Sequence, residues 1–393
     1  MTSYERVLTA LRHQEPDRVP FDLGACVLTG MNVAAYRALR EFLGLPAREI
    51  EIQDMTQQLA RVDDDVVELL KVDVRGVDPN PVAAAPLRTE PHLSADGRYT
   101  LMNDELGIGW RKPVEGGHYF DMVSHPLEDA ETIEDLDAYE MPAGDHPSRF
   151  IGMKERADFY VNQEKRAYIL GRHNAGIWEL ALWTSGFEKF FCDMIAEKEF
   201  SHALMRKITD YKLAYWEKAL DAVGSNVLIV SEADDLATQN SQLVSPELYR
   251  EMVSPYHKEL FGFIRDRARK NGADEIYLFY HTCGSMLPFA DALYEEGVNI
   301  LNPVQVSAKD MDSARLKKEL GSRFTFWGGG VDTQYVLPRG TPAEVKDEVR
   351  RRIDDLAPGG GFVFSTVHNV QSDVPPANYM AMWEALQEYG VYR

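Results

Sequence analysis

Cysteine is scarce: Cys26, Cys192 and Cys283 are the whole supply in 393 residues. Three thiols cannot staple a chain of this length, so a disulfide scaffold is excluded and a reducing, cytoplasmic setting is expected. Long apolar runs are missing too. No stretch approaches the roughly 18 apolar residues of a membrane span. The start, MTSYERVLTALRHQEPDRVP, has no apolar core of the signal-peptide kind. Positive charge is in deficit, with 42 Lys and Arg against 63 Asp and Glu and a net charge of −21. Nucleic acid and anionic membrane surfaces need the opposite balance, so neither is expected as a partner. Several motifs are absent: G-x-S-x-G, the P-loop, H-E-x-x-H and C-x-x-C. Serine-hydrolase, P-loop NTPase and zincin readings therefore lose their support. There is no internal repeat and no low-complexity tract.

What is present is an ordinary globular mix, 45% hydrophobic and 27% charged. Strands are predicted at 19–24, 72–78, 167–172, 226–232, 276–281, 298–302, 324–328 and 362–367, most of them followed by helical patterns. Helical periodicity is also read near 53–71, from about 176 to 223, and over 245–272, which opens Ser-Pro-Glu as helix N-termini do. Alternating strands and helices imply a parallel sheet. Eight of them, with no G-x-G-x-x-G after the first strand, favour a closed (β/α)8 TIM barrel of the α/β class over an open dinucleotide-binding sheet. Residues 81–160 differ, with seven prolines and short alternating pieces such as RYTLMND and HYFDMVSHPL. They read as a hairpin-rich subdomain inserted in the N-terminal half of one barrel domain spanning 1–393. The acidic run 127–140 reads as a solvated surface segment with a short helix.

In such a barrel the chemistry gathers at the C-terminal ends of the strands. The strand 276–281 runs into His281-Thr282-Cys283-Gly284. Positions i and i+2 of extended backbone share a side, so an imidazole and a thiolate reach one point, a pairing that suits Zn2+. A buried cysteine beside a hydrogen-bonded histidine is the bland alternative. Strand 226–232 ends in Glu232-Ala233-Asp234-Asp235. Glu232 and Asp234 share one side, with Glu232 a candidate metal ligand and Asp234 or Asp235 a candidate acid/base or substrate contact; helix capping is the competing explanation. His368 and Asn369 follow the last strand; His368 is a candidate zinc ligand or acid/base, and Asn369 a candidate substrate contact. Asp22 after the first strand, Arg172 and His173 after the third, and Asn302 with Gln305 after the sixth are candidate substrate contacts.

The chain resembles the uroporphyrinogen decarboxylase-like superfamily. The resemblance is carried by ERVLTALRHQEPDRVPFDLG, SEADDLATQNSQLVSPELYREMVSPYHKELF, YHTCGSMLPFADALYEEGVNILNPVQ and GGGFVFSTVHNVQSDVPPANYMAMWEAL. It implies a (β/α)8 barrel, and either a decarboxylase or a cobalamin-linked methyltransferase. The decarboxylases carry an early R-Q-A-G-R segment that holds the carboxylates of a porphyrinogen. Here that place, residues 21–30, reads FDLGACVLTG and has no arginine.

The methyltransferase branch is the nearer one. Its members bind zinc through an H-x-C pair, matched by His281 and Cys283, plus a later cysteine. Here the later stretch reads Ser365-Thr366-Val367-His368, so His368, Glu232 or another oxygen ligand completes the site, or there is no zinc. The resemblance then implies a corrinoid-dependent methyltransferase. It would move a methyl group between a small methoxy or methylamine compound and the cobalamin of a partner corrinoid protein. Zinc would act as Lewis acid, and Asp234 or His368 would manage the proton. A thiol-methylating member of the coenzyme M type is less expected without the later cysteine. A homodimer is compatible with this class of barrel. A decarboxylase of a small carboxylic acid is the alternative enzyme, and a non-enzymatic binding role the alternative class.

Overall fold

The computed structural model describes residues 1–392. Seven parallel strands pair in chain order into one curved sheet: Val74–Val77, Ala167–Leu170, Ile229–Ala233, Tyr277–His281, Ile300–Asn302, Thr325–Trp327 and Phe362–Val363. Residues 19–22 fill the remaining gap. The Phe364 amide donates to Pro20 O at 2.8 Å and the Asp22 amide to Phe364 O at 2.9 Å, while on the other side the Asp73 amide donates to Phe21 O at 2.8 Å. The ring thus has eight staves, the α/β barrel expected from the alternation of strands and helices.

Two apolar clusters show which way each strand faces. Val74, Ile169, Ile229, Phe279, Ile300, Trp327 and Val363 fill the barrel interior. Val7, Ala10 and Leu11 of the helix Ser3–Leu11 belong to the same cluster and plug one end. Their strand neighbours Tyr168, Val230, Tyr280 and Phe326 belong to the outer cluster, against the helices. With a period of two, Ser231, Ala233, His281 and Asn302 face inward, and Glu232 and Asp234 face the helix layer. Register agrees, with Phe279 opposite Ser231 and His281 opposite Ala233.

Helices break where the backbone requires it. The pattern over 176–223 is three helices, Ile177–Ser185, Phe187–Ala196 and Lys198–Val223, the first break falling at Gly186 with φ +87°. The pattern over 245–272 is two, Pro246–Met252 and Ser254–Lys270. Pro255, at the start of the second, cannot donate back into the first. Residues 53–71 are not one helix. Asp54 takes Thr56 Oγ1 at 2.8 Å and the Gln57 amide at 2.7 Å, closing a turn between Ile52–Asp54 and Leu59–Ala60, and only Asp64–Leu69 is helical. Residues 92–124 form a four-stranded antiparallel sheet. In the acidic run, Ile133–Ala138 is a helix with a Thr132/Asp135 capping box. Among the described residues no helix is long and apolar enough to cross a membrane.

Candidate metal centre at the barrel mouth

His281 ends its strand pointing inward, and Cys283 follows two residues later on the same side. Their Nε2 and Sγ atoms are 3.4 Å apart. His368, in the loop after the last strand, brings its ring centroid to 5.7 Å from that of His281. One ligand atom from each of the three lies within 4.8 Å of the others. Zinc bonds of about 2.3 Å to sulfur and about 2.0–2.1 Å to nitrogen, at tetrahedral angles, separate the donors by about 3.6 Å. The His281–Cys283 distance fits that requirement. Two imidazoles and a thiolate also form a donor set that zinc favours, with a fourth position left for water or substrate.

Three neighbours set this geometry. Asn302 Nδ2 donates to Trp327 O at 2.8 Å, which fixes the amide so that Oδ1 faces His281 Nδ1 at 2.5 Å. His281 therefore carries its proton on Nδ1 and turns the Nε2 lone pair toward Cys283. Asp235, inward by the same alternation, accepts the Cys283 amide at 2.7 Å. Gln305 Oε1 accepts the Gly284 amide at 2.7 Å. Gly284 is required: at φ +84° a Cβ would lie 2.4 Å from Thr238 O.

The electrostatics suit a cation. Burial lowers His281 to a pKa of about 4, reinforced by the charge of Arg172 against the Asn302 bond, and burial also lowers His368 to about 4. Both rings are thus neutral donors near neutrality. Burial, with Asp235 and Glu179 nearby, raises the Cys283 thiol. A dication reverses that by binding the thiolate. Burial likewise raises Asp235, and raises Glu179 with a further push from Asp235 and Asp234.

Several expected site residues lie elsewhere in role. Glu232 faces outward, its oxygens taken by Trp216 Nε1 at 2.6 Å and Lys212 Nζ at 3.0 Å, so it is a buried ion-pair partner outside the metal cluster. Asp234 faces outward as well. It accepts the Glu179 amide at 2.6 Å and contacts His257 Nε2 at 2.7 Å. His257 in turn meets Tyr249, beside Glu296, in a closed network at 1% exposure. Both acids are thus partnered on the helix side of the wall, apart from the cluster of His281, Cys283 and His368. Asp22, 2% exposed below the site, accepts Trp327 Nε1 at 2.8 Å and the Ala25 amide at 3.1 Å. Asn369 is spent latching residues 27–30 and Gln57 across the barrel. His173 bonds Glu105, which also pairs with the fully buried Arg149, so it ties the inserted sheet to the barrel. Asn302 spans His281 Nδ1 and Trp327 O.

Arg172 stands differently. Its backbone amide rests on Ser231 Oγ at 3.2 Å, and its charge acts on His281, Asp235, Glu179 and Asp78. A cavity of about 300 Å3 opens beside Cys283 and His368, walled by Thr238, Gln239, Gln305, Thr333 and Gln334. Glu179 was not anticipated from sequence. Its one signal is a lone acid in the apolar helix start GIWELALW.

Comparison with known proteins places the chain. A uroporphyrinogen decarboxylase (URO-D) family model matches residues 123–389. A uroporphyrinogen decarboxylase of Sodalis glossinidius is 25% identical over 284 residues, 70% of this chain and 72% of its own. A methylated-thiol–coenzyme M methyltransferase of Methanosarcina mazei is 25% identical over 234 residues, 58% of this chain and 52% of its own. The solved structure of a methyltransferase from Methanosarcina mazei shares the fold with a TM-score of 0.66 over 99% of both chains, at 16% identity. The chain belongs to the uroporphyrinogen decarboxylase (URO-D) family.

Proposed function

We propose that the protein is a corrinoid-dependent methyltransferase. It moves a methyl group between a small methoxy or methylamine compound and the cobalamin of a partner corrinoid protein, with zinc held by His281, Cys283 and His368. The observation that carries the reading is that cluster of three donors at the mouth of the barrel. When bound there, zinc supplies Lewis acidity to the heteroatom that keeps or loses the methyl group.

The chain's own residues do the rest. Asn302 and Asp235 hold His281 and the Cys283 backbone in place. Asp235 and Glu179, whose pKa values burial raises, are the acids beside the cluster that would supply a proton to a departing oxygen or nitrogen, in place of Asp234. The cavity beside Cys283 and His368 receives the small compound, and its size and neutral amide walls disfavour a porphyrinogen with many carboxylates.

The test is methyl transfer to cob(I)alamin from methoxylated aromatics and methylamines, followed by the cobalamin spectrum. Turnover that a chelator abolishes and zinc restores supports the reading. A decarboxylase of a small acid is the second reading, favoured by the curated decarboxylase relatives. CO2 release indifferent to chelators would establish it instead.

A further inference from the structure

We propose that Arg172 is the receptor for a carboxylate of the substrate, so that the methylated compound this site takes is an acid. The inference rests on the methyl-transfer reading for the reacting end of that compound and on separate geometry for its acid end. Buried arginines elsewhere in the molecule are tied to carboxylates: Arg40 to Asp65, Arg75 to Glu164 and Arg149 to Glu105. Among the described residues, the Arg172 guanidinium has no ion pair within 4.0 Å and no hydrogen bond, and its Nε is buried without an acceptor. Buried donors left without an acceptor are rare.

Arg172 stands at the same end of the barrel as His281 and Cys283. It leaves the C-terminal end of the strand Ala167–Leu170, and its charge acts on His281 and Asp235, two members of the metal centre and its support. Of the nearby acids, Asp235 holds the Cys283 amide and Asp78 takes Gln53 Nε2 at 2.9 Å, while burial and the neighbouring carboxylates raise the pKa of Glu179. The neighbouring cavity wall contributes no Lys or Arg, and Arg172 is the arginine whose charge reaches His281, Asp235 and Glu179. A guanidinium offers Nε–H and Nη–H as a planar side-on fork, which matches the two oxygens of a carboxylate.

Calorimetric titration of the full chain with benzoate, benzamide and benzenesulfonate tests this without needing methyl transfer. Benzoate should bind roughly tenfold to a hundredfold tighter than benzamide, the range of a hydrogen-bonded charge. Arg172→Gln should abolish that preference and Arg172→Lys should keep part of it, with zinc content and melting temperature unchanged in both. Should Arg172→Gln fail to fold, the wild-type series and Arg172→Lys decide. Equal binding of benzoate and benzamide, no benzoate binding at millimolar concentration, or an unchanged preference in Arg172→Gln overturns the proposal. Benzenesulfonate binding as tightly as benzoate overturns the carboxylate class. If benzoate selectivity stands while methyl transfer is absent, the methyltransferase reading falls and the acid receptor remains.

Discussion

Asn302 Oδ1 accepts the Nδ1–H of His281 at 2.5 Å, and that bond decides which imidazole nitrogen faces Cys283. Removing the acceptor frees the ring to rotate and to change tautomer. Asn302→Leu should therefore weaken zinc binding by about 10- to 100-fold while the barrel stays folded. Asn302→Asp, which keeps an acceptor, should bind zinc at least as well as the wild type. Competition with a chromogenic chelator reads both.

Glu232 and Lys212 form a buried pair at 1% exposure on the outer side of the barrel wall. Glu232→Gln leaves the ammonium without its counter-charge. Unfolding by denaturant should show a loss of about 3–5 kcal/mol. Zinc content of the folded variant should stay at the wild-type level, because the residue does not face the metal centre.

His257 sits between Asp234 and Glu296, fully buried. Burial alone would lower its pKa, but the hydrogen bond to Asp234 and the close carboxylate of Glu296 raise it to about 9. The folded value is above the unfolded value near 6.5. The stabilisation is therefore complete below about pH 6.5 and is lost as pH rises through about 9, for a total on the order of 3 kcal/mol. Denaturant midpoints measured from pH 6 to 10 should fall across that window, and His257→Gln should flatten the fall.

His368 closes the stretch Ser365–His368, where the resemblance leads one to expect a later cysteine, and it is the third donor of the cluster with His281 and Cys283. His368→Ala should lose most zinc affinity, and His368→Cys should recover it, since thiolate and imidazole are both good zinc ligands. Failure of the cysteine to rescue, in a folded variant, would remove His368 from the ligand set. Equilibrium dialysis with zinc distinguishes the outcomes.

Much of the barrel was legible because its strands are short apolar runs bounded by glycine, proline and acids. The H-x-C pair was legible because spacing alone puts positions 281 and 283 on one side. Which side was not. Ile229, Val230 and Ala233 are all buried, one face inside the barrel and the other under helices, so hydrophobicity carries no phase there. Glu232 and Asp234 share a side as expected, but it is the outer one, and Asp235 is the inward acid. The pattern near 53–71 misled because a side-chain turn at Asp54 interrupts it. Glu179 and the partners of Glu232 come from helices distant in sequence, which no local pattern brings together.

X-ray absorption at the zinc edge of the reconstituted protein, beside a Cys283→Ala variant, tests the metal centre most directly. The account predicts one zinc per chain with one sulfur at about 2.3 Å and two imidazole nitrogens at about 2.0–2.1 Å, and loss of the sulfur scatterer in the variant. A protein that retains no zinc, or a zinc shell of oxygens alone that Cys283→Ala leaves unchanged, would contradict it.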